Sequence, residues 1–217
     1  MSRRASVLPM FAALSTFAAS GAAGQQRTIE PDLAAVEVFN RSASSLTDGS
    51  RRVLRLNDTP GDGVAYLRGV ELANGTIEFD VRGRDVQGRS FVGVAFHGVD
   101  SATYDAIYFR PFNFRTEDAA RRLRAVQYIS HPTFTWDKLR AEHPGVYEKP
   151  VNSPPDPNDW FHVRVVLAGP KASVYVGDAT EPSLVVNRLS ERTKGRVGFW
   201  VGNNSAGDFA NLRIRPR

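Results

Sequence analysis

The feature that most constrains the fold of this chain is a series of short strand-like segments separated by turn signals. Within residues 76–82, Ile77, Phe79 and Val81 alternate with polar residues, a period of two that is typical of a half-buried strand. Roughly a dozen such segments follow one another with no repeating helical pattern between them. We therefore predict an all-β protein, a two-sheet antiparallel jelly-roll sandwich, because a parallel α/β sheet would need crossover helices.

One long, proline-rich loop, residues 131–160, interrupts the series of strands. Its segment TWDKLRAEH predicts a short helix that ends before Pro144. The loop carries Phe134, Trp136 and Tyr147, and long loops with their own apolar residues are usually functional. We expect a packed flap, and the alternative is a structural cover over a sheet edge.

The N-terminus has the pattern of a secretory signal. MSRR is a basic start, an apolar stretch follows, and small residues precede Gly24. We predict a signal peptide at residues 1–24, a short tether at 25–35 and one sandwich domain at 36–217; the alternative is an uncleaved anchor. The mature protein is expected in the bacterial periplasm or secreted, without stable membrane insertion. The chain has no cysteine, so its core must hold the fold without disulfides.

The charge balance argues against a nucleic-acid partner. The formal net charge is +5, but the basic runs at residues 51–52 and 121–124 are short, whereas a nucleic-acid binder usually shows a concentrated basic stripe. We interpret both runs as solvated surface arginines. Arginine elsewhere suits planar contacts to carboxylates or to sugar hydroxyl groups.

Alternation also sorts the side chains of three strands by face. One set is purely apolar and should line the core between the sheets: Val92, Val94, Phe96, Ile107, Phe109, Val197, Phe199 and Val201. The opposite set mixes glycine and alanine with His97, Tyr108, Arg110 and Trp200. Sugars bind such surfaces by stacking on aromatic rings and bonding to polar groups, so we expect one wall of a ligand groove. The alternative is a second apolar layer beneath the long loop.

Several segments resemble the concanavalin A-like lectin/glucanase superfamily, and more narrowly the 3-keto-disaccharide hydrolase-type domain family. They include GVAYLRGVEL, NGTIEFDVRG, SFVGVAFHG, YDAIYFRPFNFR and GFWVGNNSAGDFANLRI, and they run from about Gly63 to the end of the chain. The resemblance implies a curved sandwich with a carbohydrate-type ligand on its concave face. The matching groove positions are His97, Tyr108, Arg110, Asn113, Gln127, His131 and Trp200.

The chain departs from the glucanases of this superfamily at their catalytic strand. The nearest match to the motif E-x-D-x-x-E is Glu78-Phe79-Asp80, and the second glutamate is absent. A retaining mechanism needs two carboxyl groups about 5–5.5 Å apart. We therefore expect Glu78 and Asp80 to be a solvent-facing pair.

Other residues could carry chemistry near the groove. His97 and Glu148 are the catalytic candidates, as base and carboxylate, and Trp136 in the loop joins the ligand-binding candidates. In the turn GNNSAGDFANL, Asn203, Asn204 and Asp208 could hold calcium or touch a sugar, or simply shape the turn. No metal motif is present, so the metal stays unknown and no cofactor is certain, although a divalent cation is compatible with this turn.

Three functions remain open from the sequence. The first is an exported protein that recognises a carbohydrate without turnover. The second is a glycoside hydrolase, or a hydrolase or lyase of 3-keto-glycosides. The third is a protein-interaction module of the cell envelope. The oligomeric state is unknown at this stage.

Overall fold

A computed structural model describes residues 27–29 and 32–217, and in this part of the chain nearly all regular structure is β. The predicted signal peptide, residues 1–24, lies outside the described residues. The strands in chain order are β1 (Arg27–Ile29), β2 (Val36–Phe39), β3 (Ala43–Asp48), β4 (Arg51–Leu56), β5 (Gly63–Leu72), β6 (Gly75–Arg82), β7 (Val92–Gly98), β8 (Tyr104–Phe109), β9 (Val126–His131), β10 (Glu148–Lys149), β11 (Phe161–Ala168), β12 (Lys171–Val176), β13 (Leu184–Asn187), β14 (Gly195–Val201) and β15 (Gly207–Pro216). The α-helices are α1 (Ala119–Arg122) and α2 (Trp136–Glu142), and single 3-10 turns lie at Leu33–Ala35 and Pro111–Asn113.

The strands form two antiparallel sheets, which confirms the predicted sandwich. The eight-stranded sheet has the order β13-β12-β11-β6-β15-β4-β3, with β1 also paired to β15. The seven-stranded sheet has the order β10-β9-β8-β7-β14-β5-β2. Within the segment expected to be a tether, Arg27–Ile29 therefore forms a strand that pairs with the last strand of the domain.

Strands β11 and β12 form a hairpin across a two-residue turn. Gly169 has φ +55°, a left-handed conformation that glycine adopts without steric cost. Ala168 pairs with Lys171, and the pairing continues to Val163 and Val176.

The core lies between the two sheets and is built from the apolar set that alternation selects. The ring of Phe199 stacks on Phe209 of the opposite sheet at 4.5 Å and meets Phe79 at 6.2 Å. The ring of Phe109 meets that of Phe161 edge-on at 5.3 Å. Burial of such rings is the main source of stability in a chain without disulfides, at about 25 cal/mol for each Å² of apolar surface removed from water.

Glu78 and Asp80 lie on the outer face of the eight-stranded sheet, as expected from the alternation of β6. Asp80 does not stand free in solvent, because His162 Nδ1 lies 2.8 Å from its Oδ1 and Asn211 Nδ2 donates to its Oδ2 at 2.6 Å. These contacts are on the side of the sandwich opposite to the predicted groove.

The proline-rich loop is a packed flap along one edge of the seven-stranded sheet. It contains α2, whose Leu139 is buried, and β10, which pairs with β9. The predicted helix ends at Glu142, two residues before Pro144. Among the described residues, no helix has the length and apolar character needed to cross a membrane.

Candidate functional site

A single row of residues crosses the seven-stranded sheet on the face turned away from the core. Trp200 pairs with Gly93, Gly93 with Tyr108, Tyr108 with Gln127, and Gln127 with Glu148. Residues paired in register share one face of a sheet, so this row places four large side chains next to one another.

Aromatic rings form the floor of this face. The rings of Tyr108 and Trp200 lie 4.8 Å apart, and Phe91 meets Tyr108 edge-on at 6.1 Å. Trp136, from α2, stands above this floor and is 48% exposed, whereas Tyr108 and Trp200 are each 3% exposed. The largest open aromatic surface therefore belongs to Trp136.

A cavity of about 410 Å³ lies over the floor, within the usual range of about 300–1,000 Å³ for small-molecule sites. Seven of the ten predicted site residues line it: Tyr108, Arg110, Asn113, His131, Trp136, Trp200 and Asn203. Residues that the sequence did not single out as ligands also line it, among them Asp62, Phe91, Phe112, Arg121, Arg124 and Arg140. We call this cavity the groove.

Gln127 does not line the groove but bonds to three residues that do. It is fully buried, and its Oε1 accepts hydrogen bonds from the Tyr108 hydroxyl at 2.9 Å and from Arg110 Nη2. Its Nε2 donates to the carbonyl of Trp136 at 3.3 Å. Gln127 thus positions the floor and the helix α2.

Four arginines form one wall of the groove. Arg110, Arg121, Arg124 and Arg140, which we call the arginine wall, come from the segment after β8 and from α2. Arg110 is 5% exposed; its Nη1 and the Asn113 amide both donate to the backbone carbonyl of Arg124, at 3.0 and 3.1 Å. Burial lowers the pKa of the Arg110 guanidinium, and the nearby positive charges of Arg140 and Arg124 add to the decrease.

Within the run at residues 121–124, interpreted as solvated surface, Arg121 and Arg124 are partly exposed and line the groove. Arg121 donates to Asn113 Oδ1 at 3.1 Å and to the Phe112 carbonyl at 2.9 Å. The side chain of the N-cap Asp118 accepts hydrogen bonds from the Ala120 and Arg121 amides and so starts α1 here.

Glu148, a predicted catalytic carboxylate, lies behind the arginine wall and is not among the residues that line the groove. It accepts two hydrogen bonds from Arg140, at 2.8 and 2.7 Å, and lies 3.6 Å from Arg124 and 3.7 Å from Arg110. Two parallel bonds of this kind hold both side chains in one relative orientation. In this position Glu148 holds arginines together, and its catalytic role stays a prediction.

The side chain of Asp62, which the sequence analysis missed, lies next to two other groove residues, Trp200 and His131, with the buried Tyr104 between them. The Trp200 indole donates to the Tyr104 hydroxyl at 3.1 Å, and that hydroxyl donates to Asp62 Oδ2 at 3.1 Å. His131 stacks on Tyr104, with its Nδ1 3.9 Å from the same carboxylate. Burial raises the pKa of Asp62 and lowers that of His131, while the attraction between the two opposes both changes.

The placement of His97 on the groove face is wrong because β7 contains a bulge. Ala95 pairs with Gly198, but Gly98, three residues on, pairs with Arg196, so β7 carries one extra residue. His97 adopts φ +49° and is fully buried, away from the groove. Its Nε2 lies 2.9 Å from the Ala73 carbonyl and its Nδ1 lies 2.6 Å from Arg188.

The turn after β14 separates the residues that were considered for calcium. Asn203 lines the groove and accepts a hydrogen bond from the Gly61 amide at 2.8 Å, which supports the interpretation of the turn as a shaped connection. Asp208 lies on the other sheet, paired with Arg55 at 2.6 Å and Arg82 at 2.9 Å. Among residues 27–29 and 32–217, no group of three or more His, Asp or Glu residues could hold a metal ion.

Comparisons with known proteins show the fold and no family. No protein-family model matches the chain, and no curated protein sequence matches it. Among solved structures, the carbohydrate-binding module CBM66 from Bacillus subtilis is similar, with 15% identity over 82% of this chain and 94% of that chain and a TM-score of 0.60. A protein of unknown function with a galectin-like fold from Bacillus subtilis shares 12% identity over 91% of this chain and 98% of that chain, at a TM-score of 0.58.

A lectin domain with bound sugar is also similar. The exoplasmic/lumenal domain of VIP36, in its form bound to Ca²⁺ and Man3GlcNAc, shares 10% identity over 86% of both chains at a TM-score of 0.53. At these identities the likeness establishes a lectin-like sandwich fold of the galectin and concanavalin A type. It leaves the narrower 3-keto-disaccharide hydrolase-type family unconfirmed.

Proposed function

We propose that this protein binds a glycan in the groove on the outer face of its seven-stranded sheet. The observation that carries the proposal is the aromatic floor of Tyr108 and Trp200 with the exposed ring of Trp136 above it. The C–H face of a sugar ring packs on such aromatic surfaces, because both are flat and apolar. A binding site needs only this surface and hydrogen-bonding groups around it.

Those groups surround the floor on several sides. The side chains of Arg124, Arg140 and His131 are 43%, 26% and 20% exposed, so they can reach a ligand in the groove. Guanidinium and imidazole groups donate to sugar hydroxyl oxygens, and the buried Gln127 and Asn113 hold the wall in place before a ligand arrives.

The structural neighbours support the same function. One of them is a carbohydrate-binding module, and another was determined with Man3GlcNAc bound. A shared fold does not by itself imply a shared function. The proposal therefore rests on the groove of this chain, and the neighbours show only that the same fold binds carbohydrate in other proteins.

A calorimetric titration of the protein with a panel of oligosaccharides tests this function. We expect at least one glycan to bind, and Trp136→Ala to weaken its binding about fivefold or more, since stacking on one aromatic ring contributes on the order of 1–3 kcal/mol. The matched control is Trp160→Ala, because Trp160 directly precedes β11 of the other sheet, does not line the groove, and donates from its indole to Asp48 in β3. Equal affinity of Trp136→Ala and the unchanged protein would refute this use of the groove.

A second candidate function is hydrolysis or cleavage of a glycoside, including a 3-keto-glycoside. The observation that favours it is Asp62, the one carboxylate among the residues that line the groove, which has a pKa raised by burial and lies beside His131. A raised pKa brings a carboxyl group closer to the range in which a general acid works. A second carboxylate, which a retaining mechanism requires, is not supplied by the lining.

Product analysis separates binding from turnover. If the protein is an enzyme, incubation with glycosides and 3-keto-glycosides releases free sugar, and Asp62→Asn stops the release while calorimetric binding remains. If no product forms from any glycan that binds, the protein is a binder.

We also propose that the protein is exported, on the pattern of residues 1–24. Expression in a bacterium followed by fractionation should place it in the periplasm or the medium. Mass spectrometry should then give a mature N-terminus near Gln25. Recovery of the full-length chain in the cytoplasm would contradict this.

A further inference from the structure

The groove has an uneven distribution of charge that glycan binding alone does not require. Four guanidinium groups, those of Arg110, Arg121, Arg124 and Arg140, form one wall. Only Asp62 among the lining residues carries a carboxylate, and it belongs to the chain of hydrogen bonds with Tyr104 and Trp200. The wall therefore faces the ligand with an excess of positive charge.

The carboxylate of Glu148 offsets only part of this excess. Its two hydrogen bonds go to Arg140, and it lies 3.6 and 3.7 Å from Arg124 and Arg110. Arg121 instead donates to a side-chain amide and a backbone carbonyl, which are neutral. One carboxylate thus serves three guanidinium groups, and a fourth has neutral partners.

The wall is also held in place before a ligand binds. Arg110 is 5% exposed, and its bonds to Gln127, to the Tyr108 hydroxyl and to the Arg124 carbonyl fix the backbone from which Arg124 projects. Burial is the main cause of the lowered pKa of Arg110; repulsion from Arg140 and Arg124 lowers it further, and the charge of Glu148 opposes them. A negative charge entering the groove would relieve that repulsion.

We infer that the glycan bound in the groove is anionic, carrying a carboxylate or sulfate group that contacts the arginine wall while the sugar ring packs on Trp136. This inference rests on the proposed function and names the ligand class of the same site. A guanidinium group can donate two parallel hydrogen bonds to two oxygens of one carboxylate or sulfate group. Such charge-assisted bonds are stronger than those to a neutral hydroxyl group.

The test uses matched probes in calorimetric titrations of the full chain. Tri-galacturonic acid is compared with its methyl ester, and a sulfated galactose oligosaccharide with its unsulfated form. We expect one anionic probe to bind about tenfold or more tightly than its neutral partner. We also expect that preference to shrink between 50 mM and 300 mM salt, which are chosen conditions on either side of physiological ionic strength. The carboxylated and sulfated pairs distinguish the two sources of charge.

Two variants locate the preference on the wall. Arg124→Gln should reduce the preference for the anionic probe to about one third or less of its value, since one of the guanidinium groups is lost. Arg122→Gln is the matched control, because Arg122 lies two residues before Arg124 at the end of α1, is exposed, and is bonded to backbone carbonyls outside the groove. It should leave the preference unchanged.

The possible failures are distinguishable. Equal affinity for the acid and its ester, and for the sulfated and unsulfated sugars, overturns the anionic ligand and leaves glycan binding intact. Absence of binding to all four probes and to the wider panel overturns both. A preference that Arg122→Gln removes as fully as Arg124→Gln overturns the assignment to the wall.

Discussion

The rings of Tyr108 and Trp200 meet at 4.8 Å across Gly93, which pairs in register with both residues. Gly93 belongs to β7, the strand between β14 and β8, and a side chain at this position would normally separate those of the two neighbouring strands. Gly93 has no side chain, and a Cβ atom built there would lie 2.1 Å from the Ile107 carbonyl oxygen and 2.6 Å from Tyr108 Cα. The floor of the groove therefore depends on glycine at this position.

Gly93→Ala should destabilise the fold. Because the nearest atoms belong to the backbone of β8, they cannot move aside as a flexible side chain would, and the two strands must separate. We expect a loss of about 1–3 kcal/mol in the free energy of unfolding, the usual cost of overpacking, measured by urea denaturation.

The control for this substitution is Gly69→Ala in β5. There an added Cβ would meet no atom within 4 Å, but φ is +67°, so the cost comes only from the left-handed backbone and is about 1–2 kcal/mol. Alanine at position 93 should in addition weaken ligand binding, whereas alanine at 69 should not. A Gly93→Ala protein with unchanged stability and binding would contradict the role of this close approach.

The sandwich and the floor of the groove could be predicted because the strands that carry them are regular. Alternation places Phe199 and Phe109 in the core and Trp200 and Tyr108 on the outer face, and the structure agrees. A strict period of two holds as long as each strand pairs without an inserted residue. The pairing of β8 with its neighbours, and that of β14 with β7 from Gly198 to Val201, satisfies that condition.

The incorrect and missing predictions concern residues whose strand pairing is irregular or absent. The bulge in β7 is set by pairing with Arg196 and Gly198, which are a hundred residues away in sequence, so the local pattern around His97 does not show it. Asp62 reaches the groove because Gly63 pairs with Val201, and this contact too depends on the whole sheet. Turn residues have no periodicity from which a face could be predicted.

Glu148→Gln should lower stability because it removes the carboxylate that Arg140, Arg124 and Arg110 share. We expect a loss of about 1.5–3 kcal/mol in the free energy of unfolding, the range for hydrogen bonds to charged groups. Arg140→Gln should cost a similar amount. The double variant should lose less than the sum, with a coupling of about 0.5–3 kcal/mol, since both substitutions break the same pair of bonds.

An exposed ion pair provides the comparison. Glu71 lies 2.7 Å from Lys194, but their side chains are 50% and 60% exposed, so Glu71→Gln should cost less than about 1 kcal/mol. Additive effects of Glu148→Gln and Arg140→Gln would show that the pair does not hold α2 against β10.

Asp105→Asn should be more damaging, because Asp105 is fully buried at the end of the sandwich. Its carboxylate accepts hydrogen bonds from Ser190 at 2.6 Å, Arg192 at 2.9 Å and Tyr128 at 3.1 Å. An amide cannot accept at both positions or balance the guanidinium. We expect a loss of about 3–5 kcal/mol in urea denaturation, the cost of removing one partner of a buried pair.

Asp156→Asn tests whether the burial of Asp105, rather than the loss of any carboxylate, causes this effect. Asp156 contacts Arg115 at 3.3 Å with both side chains more than half exposed, and its removal should cost less than about 1 kcal/mol. If the two substitutions have equal effects, the buried network does not carry the stability that its contacts indicate.

His97 should make the fold less stable in weak acid. Burial lowers the pKa of its imidazole below the ordinary value of 6.5, and the charge of Arg188 lowers it further. The unfolded chain therefore binds a proton near pH 6.5 while the folded chain does not. This contribution to stability is complete above about pH 6.5 and is lost as the pH falls towards the lower pKa of the folded state, by at most about 1.4 kcal/mol per pH unit.

The variant His97→Asn isolates this contribution. Asparagine tolerates the left-handed backbone at φ +49° and can still donate to the Ala73 carbonyl, but it does not titrate. His131 and Asp62 remain in both proteins, so their opposing effects cancel in the comparison. Between pH 7 and 5, the unfolding free energy of the unchanged protein should fall more steeply than that of His97→Asn, and parallel curves would mean that His97 is protonated as readily in the folded state as in the unfolded chain.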